Sequence, residues 1–240
     1  MINDSINFLG ISFSAFEWAA IILSLKVALN AVLWSLPFGI LTAWILARYS
    51  FYGKTLLDSL IHLPLVLPPV VIGYMLLISM GKKGIIGRYL YEWFGVSFSF
   101  SWQGAALASA VVAFPLLVRA IRTSFEAVDV GLEQAARTLG ASRIRVFFTL
   151  SLPLAFPGIL AGIILSFARS LGEFGATITF VSNIPNQTQT IPLAMYSLIE
   201  TPGAQDAAWR LCLIAIGLSF IALLVSEWLL RLSKARLGRG

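Results

Sequence analysis

Few side chains in this sequence could perform bond chemistry, and their spacing assigns most of them to other work. His62 is the only histidine; Asp58, one helical turn earlier, is the one acidic residue near it, and no cysteine is close. A structural His–Asp contact is expected there, in preference to a metal site. Cys212 is the only cysteine and lies in an apolar stretch. No internal disulfide can form, and a packed thiol is expected. Gly53-Lys54-Thr55 has the ending of a phosphate-cradling loop, but such a loop needs another glycine five positions before Gly53, where Arg48 stands. The chain therefore shows no nucleotide site of its own. Arg169 and Glu173 lie four residues apart inside an apolar stretch, on one face of a helix, where neither should meet lipid uncompensated. Such a pair lines a solute pathway or locks two helices together, and the residues alone leave both readings open. A polytopic enzyme acting on lipids, a remote alternative, would cluster Asp, His, Cys or Ser groups near one membrane face. The sole histidine and sole cysteine are far apart in sequence.

These residues are carried by a chain built for lipid. Of its 240 residues 58% are hydrophobic and 12% charged, with mean hydropathy +0.88. A soluble domain would have about twice that share of charge. An all-α polytopic membrane protein follows, as a single domain over 1–240. The first sixteen residues hold no Lys or Arg, so the first apolar segment is expected to stay in the mature protein. Five segments could cross a bilayer, at about 17–47, 54–80, 102–126, 154–181 and 207–231. With the N-terminus outside, eleven Lys and Arg fall on the cytoplasmic side, and four (Lys82, Lys83, Arg88 and Arg210) fall outside. That asymmetry places the C-terminus, with its basic tail Arg231 to Arg239, in the cytoplasm. The net charge of +6 is thereby explained without nucleic acid.

Several segments are marked for bending or close contact. Lys26 should snorkel from the first span toward the headgroups. Pro37 with Gly39 should bend that span, and Phe114-Pro115 the third. Pro64, Pro68 and Pro69 remove helical donors from the second span, which is tolerable in lipid only where neighbours or water satisfy the freed carbonyls. A helix broken in this way faces protein or a cavity, or is simply kinked. Gly158 and Gly162 form a G-x-x-x-G contact face. Gly172 and Gly175 loosen the helix around Phe174, a candidate plug. Residues 81–101 form a basic outer loop. Within 182–206 the apolar run Ile191–Ile199 is too short to span, so it should dip in at the outer mouth or lie along the interface.

The longest polar interval between these segments, Asp129 to Pro153 in the loop 127–153, has its own helical pattern. Val128, Leu132, Ala135, Ala136 and Leu139 fall on one face. Asp129 can cap its start, Gly140 can end it in a left-handed conformation, and Ser142 can open a second turn bearing Arg143 and Arg145. A short amphipathic helix on the water side of a membrane is expected, shaped to insert into another protein.

Gln134-Ala135-Ala136, Gly140 and Leu150-Ser151-Leu152-Pro153 match the spacing of the cytoplasmic loop E-A-A-x-x-x-G-x9-I-x-L-P of permease subunits of bacterial ATP-binding-cassette importers. The chain departs from it with Gln134 for Glu, although Glu133 precedes it, and with Leu150 for Ile. Ala168 to Thr177, His62 to Val71 and Ile191 to Tyr196 further resemble molybdate permeases. The resemblance implies the type I importer fold and a coupling loop of Leu132, Glu133, Gln134, Ala135, Ala136, Arg137 and Gly140. A pathway or gate would involve Arg169, Glu173, Phe174, Gly175 and Thr177, next to the kinked helix of Pro64, Pro68 and Pro69. It also implies a homodimer in the bacterial inner membrane and two ATPase subunits that hold ATP-Mg, this chain binding no cofactor. A periplasmic molybdate-binding protein would deliver the cargo. Sulfate, thiosulfate or tungstate are the alternative cargoes.

Overall fold

The computed structural model describes residues 6–8 and 11–236; Arg239, at the end of the expected basic tail, lies outside them. Helices dominate because a lipid-facing backbone has no water with which to satisfy its N–H and C=O groups, and a helix satisfies them within itself. They run α1 (Ala15–Arg48), α2 (Lys54–His62), α3 (Pro69–Met80), α4 (Gly87–Phe94), α5 (Trp102–Glu126) and α6 (Val130–Thr138). There follow α7 (Arg143–Val146), α8 (Leu152–Leu154), α9 (Phe156–Leu171), α10 (Gly175–Val181), α11 (Ile191–Glu200) and α12 (Gln205–Arg236). A short antiparallel pair, Ile6–Phe8 with Ile11–Phe13, precedes them and is the departure from an all-α chain among the described residues.

Among the described residues three helices, α1, α5 and the 205–225 part of α12, are each long and apolar enough to cross a membrane. The expected span 54–80 is instead broken: α2, continued by a 3-10 turn at Leu63–Leu65, meets α3 at 109°. The expected span 154–181 is also divided. Helix α9 stops at Leu171 and α10 restarts at Gly175, while the α7–α8 stretch enters α9 at 66°. Counting each bent pair as one span gives up to five. Pro37 and Pro115, in contrast, are absorbed inside unbroken helices.

Helix α5 is the axis of the bundle. Ser101 caps it by accepting the Gly104 N–H at 3.1 Å, and Ala105, Ala106, Ala108, Val112, Leu117, Val118 and Ile121 are buried along its length. Its small residues let α1 and α10 approach at one end, where Val27, Ile72, Ala176 and Phe180 join the core. Toward the other end Ala43 and Leu46 of α1 and Ile159 of α9 close on Leu117, Ile121 and Phe125. Gly158 is where α9 meets α5: a Cβ there would overlap the Ser124 side chain. A third cluster joins Ala20 and Ile21 to Ile191 and Ala194 of α11 and to Leu211 of α12.

Ion pairs tie the helix ends. Glu17 is fully buried; it completes a capping box with Ser14 and accepts from Arg210 Nε at 2.9 Å, so it joins the starts of α1 and α12. His62 lies 3.3 Å from the Asp58 carboxylate, as expected, and Arg122 of α5 reaches the same oxygen at 3.0 Å. Lys26 places Nζ 3.7 Å from the centre of the Trp102 ring, so its charge rests on an aromatic face at the start of α5. From Lys26 to Arg48 the helix advances about 33 Å, close to the thickness of a hydrocarbon core.

Gly158→Leu is expected to lower the thermal stability of the detergent-solubilised protein by about 1–3 kcal/mol, the usual range for overpacking. Gly217→Ala is its control, because nothing lies within 4 Å of a Cβ built there. Melting curves of the two variants, read beside the unaltered chain, test the contact.

Candidate functional site

The loop between α5 and α9 is built as the sequence suggests. Asp129 Oδ1 accepts the Gly131 N–H at 2.7 Å and starts α6. Gly140 ends it with φ of +89°, while the Ala141 N–H reaches Ala136 O at 3.1 Å and the Gly140 N–H reaches Arg137 O at 3.0 Å. This pair of bonds satisfies the last carbonyls of the helix. Ser142 caps α7 by accepting the Arg145 N–H at 3.3 Å. Gln134, Ala135 and Arg137 are exposed, Ala136 is half-buried, and apolar Val130, Leu132, Leu139 and Ile144 also face outward. The knob thus presents hydrocarbon, a neutral amide and the Arg137 guanidinium on its open side.

Glu133 turns the other way. Arg48, the last residue of α1, binds it with Nε at 3.0 Å and Nη2 at 2.8 Å from Oε1, and with Nε at 3.1 Å from Oε2. The same Nη2 donates to the Val128 carbonyl at 3.1 Å, and Ser151 Oγ donates to Glu133 Oε1 at 2.8 Å. Both charged side chains are largely buried, at 11% and 15% exposure. Charge-assisted, multiply donated bonds of this kind are the strong ones. Beneath them Phe147, in a π turn spanning Phe147–Ser151, packs its ring 5.0 Å from Trp44 and 6.1 Å from Phe125. Helices α1, α5, α6 and the entry to α9 therefore meet at one node. Sequence reasoning marked Glu133 and Arg48 separately but could not pair them across 85 residues.

The second region brings together two motifs that are far apart in sequence. The proline elbow before α3 faces the break between α9 and α10: a Cβ on Gly175 would lie 2.9 Å from Pro69 Cβ, and one on Gly73 would lie 2.9 Å from Thr179 Cβ. Of the three prolines, Pro69 makes this contact, and Pro64 sits in the turn after His62. Pro69 packs on the α9–α10 break, while Leu63, Leu65, Val66 and Pro68 of the same elbow stay exposed.

Arg169 Nη1 and Glu173 Oε2 are 2.8 Å apart, so the expected pair forms. It is not a pair along one helix face, because Glu173 lies beyond the end of α9, in the connection to α10. There its other oxygen accepts the Ala176 N–H at 2.8 Å, and the side chain is 2% exposed, whereas Arg169 is 31% exposed. The carboxylate holds the break, and the guanidinium keeps an open side. Thr177 is buried and donates to Phe174 O at 2.8 Å. The half-buried Phe174 ring lies 5.4 Å from Tyr196 of α11. The neighbouring Glu200 carboxylate holds the Tyr196 phenol above its ordinary pKa.

Comparison with known proteins places this architecture. Residues 35–239 match the family described as binding-protein-dependent transport system inner membrane component. The chain belongs to that family. It is 67% identical to the molybdenum transport system permease protein ModB of Escherichia coli over 93% of its own length and 97% of the relative's. A putative molybdenum transport system permease of Bacillus subtilis is 44% identical over 88% and 93%, and the sulfate permease protein CysT of Salmonella typhimurium is 40% identical over 76% and 65%. Among solved structures, a bacterial alginate ABC transporter superposes with a TM-score of 0.72 at 16% identity, covering 92% of this chain and 81% of that one. That likeness speaks for the fold.

Arg48→Ala leaves Glu133 without its main partner and is expected to destabilise α6 locally by on the order of 2 kcal/mol, the scale of a charged hydrogen bond lost. Amide hydrogen exchange across residues 130–139 should speed up accordingly. The double variant Arg48→Met with Glu133→Leu should be milder than Arg48→Ala, because no unpaired charge is left behind.

Proposed function

We propose that this chain is the membrane permease subunit of an ATP-driven importer that carries molybdate across the bacterial inner membrane. The observation that carries the reading is the α6 knob: an outward apolar face on a helix whose inward carboxylate is locked to α1. A helix that only lay along headgroups would have no need of that lock. The relatives support the cargo, since identity is 67% to a molybdenum permease and 40% to a sulfate permease.

In this reading α6, with Leu132, Gln134, Ala135 and Arg137 outward, docks on a separate ATPase subunit that holds ATP-Mg. Two copies of the chain pair about a two-fold axis, because a self-complementary contact closes a dimer and doubles the number of pathway helices. The basic side of the bundle, including Arg48 and α6, faces the cytoplasm, and a periplasmic binding protein delivers the anion to the opposite side. When the ATPase closes, α6 is displaced. The Arg48–Glu133 node passes that displacement to α1 as well as to α5 and α9. The two facing breaks, Pro64–Pro69 and Gly172–Gly175, lie in the route where the inward-open and outward-open arrangements differ. Arg169 offers its open side to a passing anion, while Glu173 moderates the attraction so that the anion can leave. In this reading the contact of Phe174 with Tyr196 serves as the gate. The chain makes and breaks no bonds; its task is to be differently stable in two arrangements.

Reconstitution with the ATPase and binding-protein partners tests this. Molybdate should stimulate ATP hydrolysis in the vesicles, and excess sulfate should not compete; saturable sulfate uptake without molybdate uptake would overturn the cargo. Gly140→Pro should insert normally yet lose transport, because proline is locked near φ −65° and cannot adopt the +89° that ends α6. Normal uptake by that variant would count against the role given to the knob.

A further inference from the structure

Helix α4 has an apolar face that the other described residues leave uncovered. It follows α3 by six residues and precedes α5 by seven, so it sits between the ends of two membrane helices. Its position is fixed by backbone contact: the Ile86 N–H donates to Ser79 O at 2.8 Å, and Gly87 is buried against the end of α3. Around its axis Ile86, Tyr89, Leu90, Trp93 and Phe94 recur at i, i+3, i+4, i+7 and i+8 and make one apolar stripe. Trp93 is 74% exposed and Phe94 70%. The opposite face has Arg88, Tyr91 and Glu92.

Exposed aromatics at the level where spans end are characteristic of the membrane–water boundary, where an amphipathic ring keeps one edge wet. Trp102 marks that level, holding the Lys26 charge over its ring at 3.7 Å. The charge balance agrees, with Lys82, Lys83 and Arg88 set against Glu92 alone between residues 81 and 101. Two of these cations are pinned above the stripe, Arg88 with Cζ 5.0 Å from the Tyr89 ring centre and Lys82 with Nζ 5.0 Å from that of Tyr91. Cations above and aromatic or branched side chains below match the phosphate and acyl layers of a leaflet.

We infer that α4 is an interfacial anchor, lying in the plane of the membrane with Tyr89, Trp93 and Phe94 among the acyl chains and Lys82, Lys83 and Arg88 at the lipid phosphates. This rests on α3 and α5 lying in the bilayer and is independent of the cargo. The anchor gives the α3–α5 connection a fixed depth. The broken second span and the central helix α5 are then referred to one lipid surface.

The test uses the full chain in lipid nanodiscs containing phosphatidylglycerol, with Cys212→Ser and a spin label introduced by Trp93→Cys, Phe94→Cys or, on the opposite face, Glu92→Cys. Power saturation compares collisions with oxygen, which concentrates in acyl chains, with collisions with a water-soluble nickel chelate. An oxygen-to-nickel ratio several-fold higher at 93 and 94 than at 92 is the expected result. Greater nickel access at 93 and 94 would show a solvated helix and overturn the inference. Low access to both reagents would show a protein contact, with a second copy or a soluble partner, and would equally overturn it. A variant that fails to insert is recognised by size exclusion, and the two independent apolar-face positions keep the test decisive.

Discussion

One guanidinium sets the mechanics of this molecule. Arg48 ends the longest helix and, within a few ångströms, holds the carboxylate of Glu133 and the carbonyl of Val128, while Ser151 completes the carboxylate's shell. Each group alone would be costly to withdraw from water, and together they satisfy one another. Because the node draws on three separate stretches of chain, α6 cannot rotate freely on the ends of α5 and α9. A short helix of nine residues would be marginal in isolation. Here it is a rigid projection of the membrane bundle.

Three other ion pairs in the bundle follow the same rule. Glu17 with Arg210, Asp58 with Arg122 and Glu173 with Arg169 each join two elements or secure a break. They lie near helix ends or interruptions, where backbone groups also need partners. Glu173 shows the economy of this arrangement, since one carboxylate neutralises a cation and caps the restart of α10. The two breaks then touch each other, Gly175 lying against Pro69 and Gly73 against the start of α10.

Local signals made much of this legible from the sequence. Trp102–Glu126 emerges with the expected boundaries because a continuous apolar run with a serine cap has few alternatives. Asp129, Gly140 and Ser142 act as read, since capping depends on neighbours within a few residues. What could not be read was tertiary. The prolines and glycines mark where the second and fourth apolar segments are interrupted, but not the angle at which the next helix restarts. The Arg48–Glu133 and Glu17–Arg210 pairs join residues 85 and 193 positions apart, and no periodicity connects them. Arg169 and Glu173 were paired correctly, but for a geometry in which helix spacing was only part of the reason.

The proline elbow has a last consequence. Pro64, Pro68 and Pro69 lack three amide hydrogens that a straightened helix would use within six residues, so straightening the 109° corner would be costly. Gly172 and Gly175, on the opposing side, keep their amides and have no side chains to clear. Of the two facing elements, the glycine side has the smaller cost of changing its backbone angle.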